Sequence, residues 1–220
     1  MPEVGDEIDD AERVAALADR HRDAWQRTLN DAETLAEQRE EDGWETLVIP
    51  AGDTAPEPPE AGDSDRYGLV HVIPSNFADD FEALSDEQFS AYDVYRAESD
   101  GRVFVVTELL EARSDDETES DGESTGVETT ADESTDAETG DSGSATETAD
   151  GESTDGAAGL AVYVVGTYEL RHAGDLIETA IDADLMYTHL QRLDGTEVAS
   201  ILHEDPEKFF PQVDRFVDDA

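Results

Sequence analysis

Leu160-Ala161-Val162-Tyr163-Val164-Val165-Gly166-Thr167-Tyr168-Glu169-Leu170 is the stretch on which the fold turns. Leu160, Val162, Val164, Tyr168 and Leu170 share one parity of an extended chain, while Ala161, Tyr163 and Val165 fill the other. A half-exposed strand alternates apolar with polar residues, whereas a run apolar on both parities needs cover on both faces. The stretch therefore reads as a central strand with layers above and below it.

Two hairpins flank it. Residues 92–98 and 103–110 meet at Asp100-Gly101, and residues 186–192 and 197–203 meet at Asp194-Gly195, both with two-residue turn chemistry of type I′. Residues 44–49 and 67–73 read as two further strands, stopped by Pro50 and Pro74, and the Pro-, Gly- and Asp-rich residues 51–65 between them read as a loop. Helical spacing of Val14, Leu17, Ala18, His21, Trp25, Thr28, Leu29, Ala32, Leu35 and Ala36 predicts a helix over 9–42, closed by Gly43 in the left-handed C′ position. A short helix is predicted over 77–84 and another over 174–183, with Leu176, Ile177, Ala180 and Ile181 as its stripe. Asp205-Pro206-Glu207 carries the signature of a helix start, with Phe209, Phe210, Val213, Phe216 and Val217 on the face that follows. The expected fold is α+β: a mainly antiparallel sheet of about six or seven strands flanked by three or four helices. Its element order is loosely reminiscent of sensory ligand-binding modules of the PAS or GAF kind.

Residues 114–158 differ in kind. They hold no aromatic and no basic residue, with Val127 their lone larger aliphatic. Such a segment cannot bury enough apolar surface to offset its chain entropy, so disorder is expected. It is an insert between two strands that a hairpin turn could otherwise join, and long loops are tolerated because closure costs only ~0.6 kcal/mol per doubling of length. The division expected is a disordered N-terminus at 1–8, a single domain made of 9–113 and 159–220, and the acidic insert at 114–158. The insert reads as a solvated expansion or as an acidic interaction segment.

Charge dominates the composition, with 59 acids against 13 bases and a formal net charge of −46. Sixteen of the acids lie in the insert, leaving 43 outside it, so the acidity belongs to the folded part too. A disordered acidic chain would lack the strands above, and a nucleic-acid mimic gains nothing from avoiding lysine. Yet Lys208 is the single lysine beside 12 arginines. Adaptation to molar intracellular salt accounts for both facts: at 1 M the Debye length is ~3 Å, carboxylate repulsion is screened, and the arginine head is more weakly hydrated. A nucleic-acid partner is therefore not expected. No cysteine is present, which excludes disulfides and thiolate chemistry. The acidic Met1-Pro2-Glu3-Val4-Gly5-Asp6 start lacks a signal core, and no apolar run reaches membrane-spanning length, so a cytoplasmic location is expected.

No catalytic constellation stands out: there is no phosphate-binding glycine loop, zinc spacing, nucleophile elbow or dinucleotide fingerprint. No metal site is read, and no cofactor is named. In the second hairpin, positions summing to 389 should face one another, which sets His189 and His203 on opposite faces and pairs Arg192 with Glu197. Tyr187, His189, Gln191 and Ser200 then share one face, a polar cluster where carboxylates are the usual surface residues. Arg171 and His172 stand before the helix over 174–183. These six residues are the candidate ligand site, for a small molecule or an anion; the alternative is hydrogen-bonded residues at the edge of a core. Lys208 reads as a surface residue, and Phe209-Phe210-Pro211 as core or as a contact in a homodimer.

The runs 186–196 (Met-Tyr-Thr-His-Leu-Gln-Arg-Leu-Asp-Gly-Thr) and 203–211 (His-Glu-Asp-Pro-Glu-Lys-Phe-Phe-Pro), with 44–52 (Trp-Glu-Thr-Leu-Val-Ile-Pro-Ala-Gly), resemble a haloarchaeal family of unknown function. The resemblance spans most of the chain except the insert. It implies lineage and compartment, and carries no activity or site residue. Three functions follow for testing: a non-enzymatic small-ligand-binding or regulatory domain, an enzyme using Tyr187, His189 and Arg171 on a small anionic substrate, and an interaction component acting through the Trp25-bearing helix or the Phe209-Phe210 pair.

Overall fold

The apolar run does form the central strand. The computed structural model describes residues 4–59, 61, 66–112 and 158–217, and residues 114–157 of the expected insert lie outside them. In chain order the elements are α1 (Val4–Glu41), β1 (Glu45–Pro50), β2 (Asp53–Glu57), β3 (Gly68–Val72), α2 (Ser75–Leu84), β4 (Ala91–Ser99) and β5 (Arg102–Ala112). After the insert come β6 (Gly159–Glu169), a 3₁₀ turn (Leu170–His172), α3 (Gly174–Ala183), β7 (Met186–Gln191), β8 (Glu197–His203), a second 3₁₀ turn (Pro206–Phe209) and α4 (Asp214–Val217).

The class is α+β, but the strands make two four-stranded sheets, ordered β1-β6-β5-β4 and β2-β3-β7-β8. Each is mixed, because β1 runs parallel to β6 and β3 parallel to β7. Alternation within a strand fixes which face is buried, not which neighbour it takes, and that is why one antiparallel sheet was expected. The eighth strand, β2, lies in the stretch read as loop. It is an edge strand, where Pro56 is tolerated because a missing N–H there breaks no central ladder.

α1 covers one face of the first sheet, laying Ala32 and Ala36 on Val106, Ala161, Tyr163 and Val165. Beneath this interface Glu108 is almost fully buried. Its carboxylate accepts from Arg39 Nε (2.7 Å), Tyr163 Oη (3.0 Å) and Tyr95 Oη (3.1 Å), which fastens the helix to the sheet. The helix begins at Val4, and its apolar stripe is not buried throughout: Val14 is 67% exposed.

The other face of the first sheet packs on the second sheet in two apolar clusters. One gathers Leu109, Leu160, Val162 and Val164 with Ile73, Leu190, Ala199 and Phe81 of α2. The other gathers Val103, Val105 and Tyr168 with Leu69, Met186, α3 and Phe209-Phe210. Between them runs a polar seam. On β6 it is Gly166, on β5 Thr107, on β3 His71 and on β7 Thr188, each one alternate position from an apolar residue of either cluster.

The first hairpin has the expected turn, with φ of 53° at Asp100 and 80° at Gly101. The second does not. Positive φ occurs at Gly195 and not at Asp194, and Arg192 exchanges hydrogen bonds with Thr196 and Gly195, so the loop has three residues, Leu193, Asp194 and Gly195. A bulge at Leu190/Gln191 restores the expected register from Leu190 to Met186. Glu197 consequently faces Gln191, while Arg192 pairs with Asp79 (2.8 Å) and Glu82 (3.1 Å) of α2. At the C-terminus the expected single helix is broken. Phe210 is extended (φ −117°, ψ 125°), as the residue before Pro211 prefers, and only Asp214–Val217 resumes a helix. Phe209 and Phe210 have no exposed surface, so the pair is core.

Candidate functional site

The six residues singled out above fall into two separate groups, and no hydrogen bond, ion pair or ring contact joins them among the described residues. Tyr187, His189, Gln191 and Ser200 share the face of the second sheet turned away from the first. The Tyr187 and His189 rings stack with centroids 5.8 Å apart. His189 Nδ1 lies 3.0 Å from Ser200 Oγ, and its Nε2 lies 3.2 Å from the Arg66 carbonyl. The imidazole therefore donates from Nε2 to that carbonyl and accepts the Ser200 hydroxyl at Nδ1. Burial holds its pKa below the ordinary histidine value, against the opposing pull of the Arg66 carbonyl and of Glu197, 3.9 Å away.

Arg171 and His172 stand in the 3₁₀ turn after β6, joined by a 3.2 Å contact from Arg171 Nε to His172 Nε2. His172 opens onto a cleft of about 560 Å³, within the range of small-molecule sites. Trp25 of α1 forms one wall, and Asp53, Thr54, Ala55 and Pro56 of β2 form the other. Arg102, Thr167, Glu169 and His172 supply polar edges along the ends of β5 and β6.

Each cleft residue is placed by an element already described. Arg102 and Glu169 are direct partners across β5 and β6. Arg102 Nε donates to Glu169 Oε1 at 3.0 Å and holds that carboxyl below its usual range, with a further contribution from Arg171. Thr167 Oγ1 donates to the Val103 carbonyl (2.9 Å), leaving acceptor capacity on the hydroxyl. Thr54 is almost fully buried and lies 3.0 Å from His71 Nδ1. Burial lowers the His71 pKa to about 3, and that of His203 likewise to about 3. His203 Nε2 lies 2.9 Å from Thr188 Oγ1. His71 Nε2, His203 Nδ1 and Thr107 Oγ1 have no hydrogen-bond partner among the described residues. Among the described residues no group of three metal-ligating side chains comes together.

Of the cleft residues, His172 belongs to the candidate ligand set, and Trp25 lies on the helix named as an interaction contact. Thr54, Arg102, Thr167 and Glu169 carry no sequence signal of their own, because they converge from three distant strands. One local signal was present: Gly166, a residue without a side chain inside an otherwise bulky strand. Glycine in a strand interior often marks a close approach by another group.

Residues 11–120 and 151–211 match a family of unknown function, DUF7529, a match that covers most of the chain. Every cleft residue lies inside the matched stretches, whereas 121–150, the middle of the acidic insert, lies outside them. No curated protein and no solved structure matches the chain. The cleft and the two sheets around it are thus the part of the molecule that the family comparison covers, and the chain belongs to the family of unknown function DUF7529.

Proposed function

We propose that the chain is a non-enzymatic small-ligand-binding or regulatory domain whose ligand occupies the cleft between Trp25 and β2. The observation that supports this reading is the convergence of scarce side chains. One of two tryptophans, one of 12 arginines and one of five histidines meet around a single cavity in a chain dominated by carboxylates. The working solvent we infer is the cytoplasm of a halophilic archaeon, since lysine is avoided and acids are dense outside the insert as well as in it. At 1 M salt the Debye length is ~3 Å, so attraction between separated charges fades and contact hydrogen bonds and stacking carry recognition. The cleft has that character. Trp25 offers a π face, and Thr54, Thr167, Asp53 and the Arg102–Glu169 pair offer donors and acceptors around it. The ligand class that fits is a small planar molecule with a hydrogen-bonding edge. Neither nucleic acid nor a membrane enters this reading, and no helix among the described residues is long and apolar enough to cross a membrane.

Calorimetry at about 3 M KCl, where charges beyond a few ångströms are screened, tests the reading with adenosine, AMP and inorganic phosphate as probes. Adenosine and AMP should bind comparably and Trp25→Ala should abolish both, while phosphate alone should not bind. Binding of phosphate alone, or binding unaffected by Trp25→Ala, would count against the cleft.

One contact favours a second reading. Ser200 Oγ on His189 Nδ1 is a hydroxyl–imidazole pair oriented from behind by the Arg66 carbonyl, an arrangement that can activate a nucleophile. Labelling of Ser200 by a fluorophosphonate would support an enzyme, and an unlabelled chain would remove that reading.

A further inference from the structure

Thr54 and His71 are paired positions on β2 and β3, and Thr54 lines the cleft while His71 lies behind it. Their seat is specifically built. A Cβ on Gly166 would stand 2.5 Å from Thr54 Oγ1 and 2.6 Å from His71 Nδ1 and Cε1. The central strand therefore gives up a side chain here so that this hydrogen-bonded pair can enter the polar seam. His71 has no exposed surface, and its ring carries one proton to place between two nitrogens. Nδ1 faces Thr54, and Nε2 has no partner among the described residues. Orphaned buried N–H groups are rarer in native proteins than under-satisfied acceptors, so the proton belongs on Nδ1, where it is used. Nδ1–H then donates to Thr54 Oγ1. A hydroxyl that has accepted this bond must direct its own proton elsewhere, and Thr54 is the member of the pair that lines the cleft.

The geometry points to a donor relay: His71 Nδ1–H fixes the Thr54 hydroxyl so that its proton is presented to the cleft, and the ligand must offer an acceptor atom there. That acceptor is an sp² nitrogen or a carbonyl or carboxylate oxygen, and a ligand edge carrying donors alone is refused. This deepens the small-ligand reading and rests on it. Thr54 touches the ligand; His71 is a positioning residue, acting through Thr54.

Two measurements test the relay separately from the site. ¹⁵N NMR of the full chain should show His71 protonated on Nδ1, and protonation on Nε2 overturns the inference. Adenosine should bind Thr54→Val about tenfold more weakly and Thr54→Ser within about twofold of the parent, as expected for one hydrogen bond. Equal binding by Thr54→Val, with an unchanged melting temperature, also overturns it. If adenosine, AMP and phosphate all fail to bind the parent chain, the small-ligand reading falls, and the His71 tautomer alone decides the relay.

Discussion

Gly166 and the histidines around it carry consequences that can be measured. Gly166→Ala would drive a methyl group into both Thr54 and His71, and overpacking of this kind costs about 3 kcal/mol. The melting temperature should fall accordingly, and a second change, His71→Ala, should recover part of the loss. The buried His71 and His203 also set a pH dependence. Both have folded pKa values of about 3, against 6.5 for the free side chain. The unfolded chain therefore takes up protons below pH 6.5 that the folded chain refuses. Their stabilisation is complete above pH 6.5 and is lost as pH falls toward 3. Each contributes a slope of about 1.4 kcal/mol per pH unit inside that window. Urea unfolding between pH 6.5 and 5, in molar KCl to screen the carboxylates, should show stability falling, and His71→Gln with His203→Gln should flatten the line. A parent chain equally stable at pH 7 and pH 5 would contradict the burial of neutral imidazoles. At this scale the sequence was partly legible. Opposite faces for His189 and His203 followed from strand parity, but the partners of Thr54 could not, since His71 stands 17 residues away on another strand.

Elements were more legible where a local rule decided them. β6 follows from apolar residues on both parities, α3 from its stripe, and the end of α1 from Gly43, whose φ is 84°. Errors arose where a local preference met a competing neighbour. Asp194-Gly195 has type I′ composition, yet α2 offers Arg192 the carboxylates of Asp79 and Glu82, and the loop opens to three residues with a bulge behind it. The C-terminal helix yields to Pro211, and β2 escaped notice because an edge strand can hold a proline. The attachment of α1 makes a prediction at this scale. Glu108 satisfies Arg39, Tyr95 and Tyr163 together, and the Tyr163 hydroxyl is held protonated by burial and by that carboxylate. Glu108→Gln should cost about 2 kcal/mol through the weakened Arg39 contact. Hydrogen exchange should rise first in the C-terminal half of α1, where Ala32 and Ala36 dock. Uniform loss of protection across all elements would show that the helix is not separately fastened.

For the whole molecule, the two ends of the acidic stretch meet in the first sheet. Ala112 and Gly159, which bracket the insert, are direct partners across β5 and β6, and the family match omits 121–150. Replacing 114–157 with a short glycine-containing turn should leave the chain folded and raise its melting temperature at molar salt, since three to four halvings of the loop at ~0.6 kcal/mol each lower the closure cost by about 2 kcal/mol. Helix and strand content should be lost at low salt in both forms if the 43 acids outside the insert set the salt requirement. The cleft, assembled from α1, β2, β5, β6 and the turn after it, is the feature no sequence window could display. Its occupancy is tested most directly by a ¹H–¹⁵N correlation titration of the full chain with adenosine in molar KCl. Saturable shifts are expected at the Trp25 indole, Thr54, Arg102, Thr167 and His172, with the Tyr187–His189 face unmoved. Shifts confined to that second face, or none at the cleft, would contradict it.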